Sequence, residues 1–278
     1  MNILQSLILG IVEGLTEFLP ISSTFHLIVT SRILGIPATD FVKIFEVVIQ
    51  SGAIMALLFI YTKTLLNDKK LLLTVFYSFL PTAIVGFGLH KIIKTIFFES
   101  NWLMLSVFVG IGILFLVIEK YQLSLSKKCE DITPKQAVLI GLAQACSVVP
   151  GVSRAGSVIV AMMFLGYKRD EAAKYTFLLS LPTIFAASAL DLYQGRELLS
   201  GLTGSWSLIG IGFITALIVA YFVVKWFTRY LATHTLEIFG WYRLAVAAIL
   251  IIFKVLPWSI VVLRRGGLFS RYHHIVQL

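Results

Sequence analysis

Charge is the scarcest ingredient of this chain: only 13% of its 278 residues are Asp, Glu, Lys or Arg, against about a quarter in an average soluble domain. With 58% hydrophobic residues and a mean hydropathy of +0.93, that scarcity excludes a water-soluble globule and implies an integral membrane protein. Cysteine is scarce too. Cys129 lies in a polar connection and Cys146 in an apolar stretch, without metal-type spacing and at depths that do not suit a disulfide, so neither receives a role. The start, MNILQSLILG, has neither the basic residues nor the small-residue cleavage site of a removable leader, and the first apolar segment is expected to stay in the fold. No polar stretch is long enough for a sizeable soluble domain. The net charge of +9 comes from lysines and arginines sitting mainly in short connections, where they orient the chain and meet anionic headgroups. Membrane lipids, not nucleic acid, are the expected partners.

What is present is a series of uncharged runs able to cross, or nearly cross, about 30 Å of hydrocarbon. They cover Val47 to Thr62, Leu71 to Leu89, Asn101 to Ile118, Tyr175 to Leu190 and Ser205 to Val224. Lys63, Lys69 and Lys70 precede the second run; Lys120, Lys127, Lys128 and Lys135 follow the third. The connection between those runs holds only Lys91 and Lys94. The positive-inside rule therefore places the lysine-rich connections in the cytoplasm.

Residues 2–35 and 136–166 do not fit this series. Each is apolar but broken by a polar stretch with a proline, PISST in one and PGVSR in the other. The charge pattern predicts that each dips into the bilayer and returns, one from each face. They also align, Gly10 with Gly141, Glu13 with Gln144 and Pro20 with Pro150 after a one-residue gap. The predicted fold is all-α: a polytopic transmembrane helical bundle with inverted repeats (about 1–118 and 136–258) and two re-entrant helical hairpins. Residues 1–258 would form one integral membrane domain, followed by a basic tail, 259–278. Broken helices meeting near the midplane are one way to build a site, because irregular backbone survives there only when protein or a cavity covers it.

Ionisable groups in such segments are costly, about 2.5 to 3.5 kcal/mol each even on lenient insertion scales, and functional by default. Glu13 and Glu17 share a helix face and should not both stay ionised unless a cation, an arginine or a shared proton lies between them. The plainer alternative is two solvated residues near the outer headgroups. Ser22 and Ser23 follow the break, where either can cap the next helix. Ser23 and His26 share a face, as nucleophile and base require, although Ser-x-x-His alone is nonspecific. In PGVSRAGS, Gly151 and Gly156 permit close approach of backbone amides, the following helix N-terminus attracts anions, and Arg154 offers a planar fork beside Ser153 and Ser157. Its alternative is a glycine-rich turn whose arginine snorkels to the headgroups. Glu46 and Gln50, on one face of the next run, either line the same cavity or sit at the outer interface.

These residues assembled, the sequence resembles the undecaprenyl-diphosphate phosphatase family, bacterial membrane enzymes linked to bacitracin resistance. The resemblance rests on EGLTEFLPISST-x-H and PGVSR, with FEVVIQSG as a third signature, and runs from residue 1 to about Trp258. It implies hydrolysis of a polyprenyl diphosphate to the monophosphate carrier used in peptidoglycan synthesis. It also implies re-entrant hairpins, a multi-pass protein of the inner membrane with its site open to the periplasmic or outer side, and a divalent cation, magnesium or calcium. By that resemblance Glu13 and Glu17 are the acidic, metal-holding pair, Ser23 the nucleophile with His26 as acid/base partner, and Ser153 and Arg154 the diphosphate-binding pair. A homodimer is neither required nor excluded.

Three positions depart from the family pattern. Phe25 stands where a glycine is usual, Ala155 where a serine is, and Val158 where a threonine is common. Loss of the last two hydroxyls is expected to weaken phosphate binding unless Ser153, Ser157 or backbone amides compensate. Attack by Ser23 and attack by a metal-activated water both remain open. The rival class is a transporter or flippase of a lipid phosphate or anion, since inverted repeats with broken helices also build carriers.

Overall fold

The computed structural model describes residues 1–37, 39–92, 101–121, 123–194, 196 and 206–253. Lys94 and the basic tail lie outside the described residues. The described chain is helical, with one isolated bridge between Lys127 and Tyr167. In chain order the helices are α1 (Ile3–Thr16), α2 (Ser23–Ile33), α3 (Asp40–Asn67), α4 (Lys69–Ile92), α5 (Asn101–Lys120), α6 (Pro134–Ala145), α7 (Arg154–Phe164), α8 (Arg169–Gln194), α9 (Trp206–Leu231) and α10 (Glu237–Ile252).

Five of them, α3, α4, α5, α8 and α9, are long and apolar enough to cross a membrane, and they coincide with the five uncharged runs. Polar ends extend them beyond those runs. The Thr39 side chain caps α3 by accepting from the Val42 N–H, and Arg169, at the start of α8, pairs with Glu119 of α5. Large apolar side chains on the outside, such as Ile84, Phe87 and Phe185, are exposed as lipid contact requires. The chain is a multi-pass membrane protein.

The other short helices account for the two broken regions. At 14, 11, 12 and 11 residues, α1, α2, α6 and α7 are roughly 16 to 21 Å long. None reaches across about 30 Å of hydrocarbon. An Asn2–Gln5 capping box starts α1; a Thr133–Gln136 box with Pro134 in the first turn starts α6. Each pair closes at its base. Gln5 Nε2 donates to the Leu34 carbonyl at 3.1 Å, and the Ser126 and Lys127 N–H groups donate to the Gly166 carbonyl at 3.0 Å. Each pair thus returns to the end of the molecule from which it starts.

Much of the packing repeats across the two halves. α1 packs on α9 and α6 on α4, α3 with α9 answers α8 with α4, and α3–α8 and α5–α10 map onto themselves, whereas the α7–α8 and α1–α3 contacts have no comparable counterpart. Gly10 and Gly141, aligned in sequence, do the same work. A Cβ on Gly10 would lie 2.7 Å from the Gly212 carbonyl of α9, and one on Gly141 would lie 2.1 Å from the Ser78 carbonyl of α4. The main buried core runs through both halves, from Phe18 and Ala53 to Val158 and Phe177. Beneath one end, burial pushes the Cys129 thiol above its ordinary range, with its N–H held by Glu171, which suits a structural cysteine.

Candidate active site

The two breaks meet. In the first, α1 ends at Thr16, Pro20 prevents its continuation, and α2 restarts at Ser23. Ser22, between them, has a φ of 69°, a left-handed conformation uncommon for a residue with a Cβ. In the second break, Gly151 has a φ of 93°, and Ser153 caps α7 by accepting from the Gly156 N–H at 3.2 Å. The Ser153 hydroxyl donates at 3.4 Å to the Leu19 carbonyl of the first break.

Glu17 lies at the centre. One carboxylate oxygen accepts from the Ser23 hydroxyl at 2.5 Å and the other accepts from Arg154 Nη2 at 3.1 Å. The carboxylate is almost completely buried and the guanidinium largely so. Arg154 keeps its other terminal nitrogen, Nη1, buried without a hydrogen-bond partner.

Beside this group lies a cavity of about 370 Å³, lined by Glu17, Ser22, Ser23 and Gln50 from the first half and Gly151, Ser153 and Arg154 from the second. The rest of its lining is mostly apolar and comes largely from α4 and α8, with Phe79, Phe87 and Leu190 beside Thr82 and Thr183. A cavity lined by charged and hydroxyl groups together with apolar side chains matches an amphiphile whose head is an anion. A chamber of about 20 Å³ adjoins it, lined by Glu13, Ser23, Glu46, Gln50 and Asp191 among others. Both carboxylate oxygens of Glu13 are buried there without a hydrogen-bond partner, an arrangement that fits a bound cation. Among the described residues, no three His, Cys, Asp or Glu side chains converge as ligands.

Several expected residues are not brought to this centre. His26 does not join Ser23: its Nδ1 lies 2.7 Å from the Ser22 carbonyl and its Nε2 2.8 Å from the Tyr242 hydroxyl, against whose ring it stacks. Sharing a helix face did not make the two side chains partners, and Glu17, six residues before Ser23, accepts from the serine hydroxyl instead. Ser22 lines the cavity but its side chain caps nothing. Gly156 packs against the Phe115 ring, and the Ser157 hydroxyl donates to the Arg154 carbonyl, so neither faces the cavity. Ala155 and Val158 are buried away from it as well, so their missing hydroxyls take nothing from its wall.

Sequence reading missed two neighbours on α10 and a polar cross-tie. Tyr242 holds His26, and Arg243, fully buried, donates to carbonyls of both breaks. The signal was an arginine inside the apolar run FGWYRLAVAAILII, a position as costly as those of the glutamates. Gln144, aligned with Glu13, donates to Thr82 of α4 at 2.9 Å and to Thr183 of α8 at 3.0 Å. The same position thus carries an unpartnered carboxylate in one half and a tied amide in the other.

The model of the bacitracin resistance protein BacA family matches residues 6–249. An undecaprenyl-diphosphatase of Aquifex aeolicus is 41% identical over 250 residues, 88% of this chain and 96% of that protein. One of Campylobacter fetus is 40% identical over 259 residues, 91% of this chain and 99% of that protein. With both the family model and full-length relatives covering the two breaks and the helices between them, the chain belongs to the bacitracin resistance protein BacA family.

Proposed function

We infer that this protein hydrolyses undecaprenyl diphosphate to undecaprenyl phosphate and inorganic phosphate, returning the lipid carrier to cell-wall synthesis and thereby supporting bacitracin resistance. The observation that carries the reading is the Ser23–Glu17–Arg154 group in the wall of a cavity otherwise lined largely by apolar side chains. The diphosphate belongs at the Arg154 end, where the guanidinium and Ser153 line the cavity. The isoprenoid chain leaves along the Phe79, Phe87 and Leu190 wall toward the bilayer.

In phosphoryl transfer the chief need is to stabilise charge and align nucleophile with leaving group. Arg154 supplies positive charge, and its ion pair with Glu17 fixes where that charge sits relative to Ser23. Ser23 Oγ attacks the terminal phosphorus while its proton passes to Glu17; the bond from that phosphorus to the bridging oxygen breaks, and undecaprenyl phosphate leaves. Water then cleaves the phosphoserine, with Glu17 returning the proton to Oγ. His26, held by the Ser22 carbonyl and Tyr242, braces the turn that carries Ser23 rather than exchanging its proton.

A divalent cation, magnesium or calcium, would be held by Glu13 with Glu17 beside it, and would supply neutralisation of the phosphate oxygens. Glu17 already has both oxygens engaged, so Glu13 is the donor with free capacity. The two broken pairs are re-entrant, entering from opposite faces of the inner membrane with the cavity open to the outer side. The lysines clustered around the α6–α7 base and the short lengths of the four helices support this orientation.

The test is phosphate release from undecaprenyl diphosphate by purified protein in detergent. A hydrolase works with no membrane to cross, whereas a carrier releases no phosphate. Ser23→Ala with full turnover overturns the serine pathway; acid-stable phosphate trapped on Ser23 secures it. For the cation, magnesium should raise the melting temperature of the parent protein but not of Glu13→Gln.

A further inference from the structure

Arg243 is the most completely buried charged residue described, with none of its surface exposed, and no carboxylate pairs with it among the described residues. Its three nitrogens all find backbone carbonyls. Nε donates to Phe108 of α5 at 2.9 Å, Nη1 to Pro20 at 2.9 Å, and Nη2 to Gly151 at 2.5 Å. Pro20 and Gly151 are the turning residues of the two breaks, so a single side chain from α10 holds both. The Phe108 ring lies 4.3 Å below the guanidinium carbon, and Phe25 stacks on Phe108 with centroids 4.0 Å apart. Phe25 thus extends the platform on which Arg243 rests.

We propose that Arg243 is a positioning residue that locks the two breaks in register, so that Glu17 and Ser23 on one confront Arg154 on the other. Carbonyls alone do not require a cation. A charged, five-donor planar fork is needed because three acceptors on separate segments must be reached at once from one stem, and lysine's point charge lacks that geometry. Ring faces and peptide dipoles make up for the absent counter-ion. A residue in this role sets how well the reacting groups are aligned, and misalignment of even about 1 Å lowers the chemical step roughly 100-fold. It touches no cavity surface, so substrate binding should suffer less.

The proposal rests on the phosphatase reading, and its test has one arm that does not. Arg243→Lys and Arg243→Gln, purified in detergent, would be compared with the parent for kcat and KM on undecaprenyl diphosphate, melting temperature, and hydrogen exchange at the Ile21 and Val152 amides. Expected are a kcat lowered about 10- to 100-fold with KM changed less than about threefold, together with faster exchange at both amides in both variants. Normal kcat per folded molecule in the lysine variant, with exchange at parent rates, overturns the proposal and leaves Arg243 a stabilising residue only. Faster exchange at one amide alone also overturns it, because the two breaks would then not be coupled. If the parent releases no phosphate yet the variants loosen both amides together, the clamp stands and the phosphatase reading falls.

Discussion

Glu17 gives one oxygen to Ser23 and the other to Arg154, so its removal separates nucleophile from anion site as well as taking away the base. Glu17→Gln is therefore expected to lower phosphate release roughly 100- to 10,000-fold, read as steady-state turnover of purified protein with the melting temperature as a folding control. A variant with parent turnover would move the chemistry elsewhere. The opposite expectation applies to Val158, which no part of the cavity touches. Val158→Thr adds the hydroxyl that the family resemblance implies at this position yet should leave KM unchanged, because the new group would face packed core. The acid, hydroxyl and arginine set was legible in sequence since such groups are costly in apolar segments and demand one another. The role of His26 was not. Helical spacing fixes which face a side chain occupies but not which of its neighbours it bonds, and Tyr242 arrives from far along the chain.

At the scale of helices, prolines and short apolar lengths marked the breaks in advance, and lysine clusters marked the ends of spans. The sixteen residues of α10 were not recognised as a separate element, because the arginine and the interfacial tryptophan within them blur an apolar run. Pairing between helices was legible only at Gly10 and Gly141, and their meaning came from the backbone that approaches them. With the Ser78 carbonyl 2.1 Å from where its Cβ would sit, Gly141→Ala must push α6 away from α4. Overpacking of this kind costs about 1 to 3 kcal/mol, and here both partners are rigid backbone. Gly110 on α5 has nothing within 4 Å, so Gly110→Ala removes only a helix-weakening glycine. Melting curves in one detergent should show a clear drop for the first and no drop for the second. Equal behaviour would mean that the α4–α6 contact is looser than the structure has it.

Over the whole molecule, the main helix contacts of one half recur in the other with partners exchanged, the pattern an approximate two-fold relation produces. If that axis lies in the membrane plane, the base of the α1–α2 pair and the base of the α6–α7 pair face opposite compartments. Sequence alone supported this through charge bias and a short alignment, and in the structure groups from both breaks meet at one site. The relation is open to direct measurement. Replacing Cys129 and Cys146 by serine leaves a background without cysteine, into which Pro37→Cys or Lys135→Cys can be placed singly; both positions are exposed, near the bases of the first and second pairs respectively. In intact cells a membrane-impermeant maleimide should label the protein at position 37 and not at 135, and permeabilisation should make 135 reactive. Labelling of both positions from outside would place the two bases on one face. The halves would then be parallel copies, and the two breaks could not enter the bilayer from opposite sides to form the Glu17–Arg154 contact.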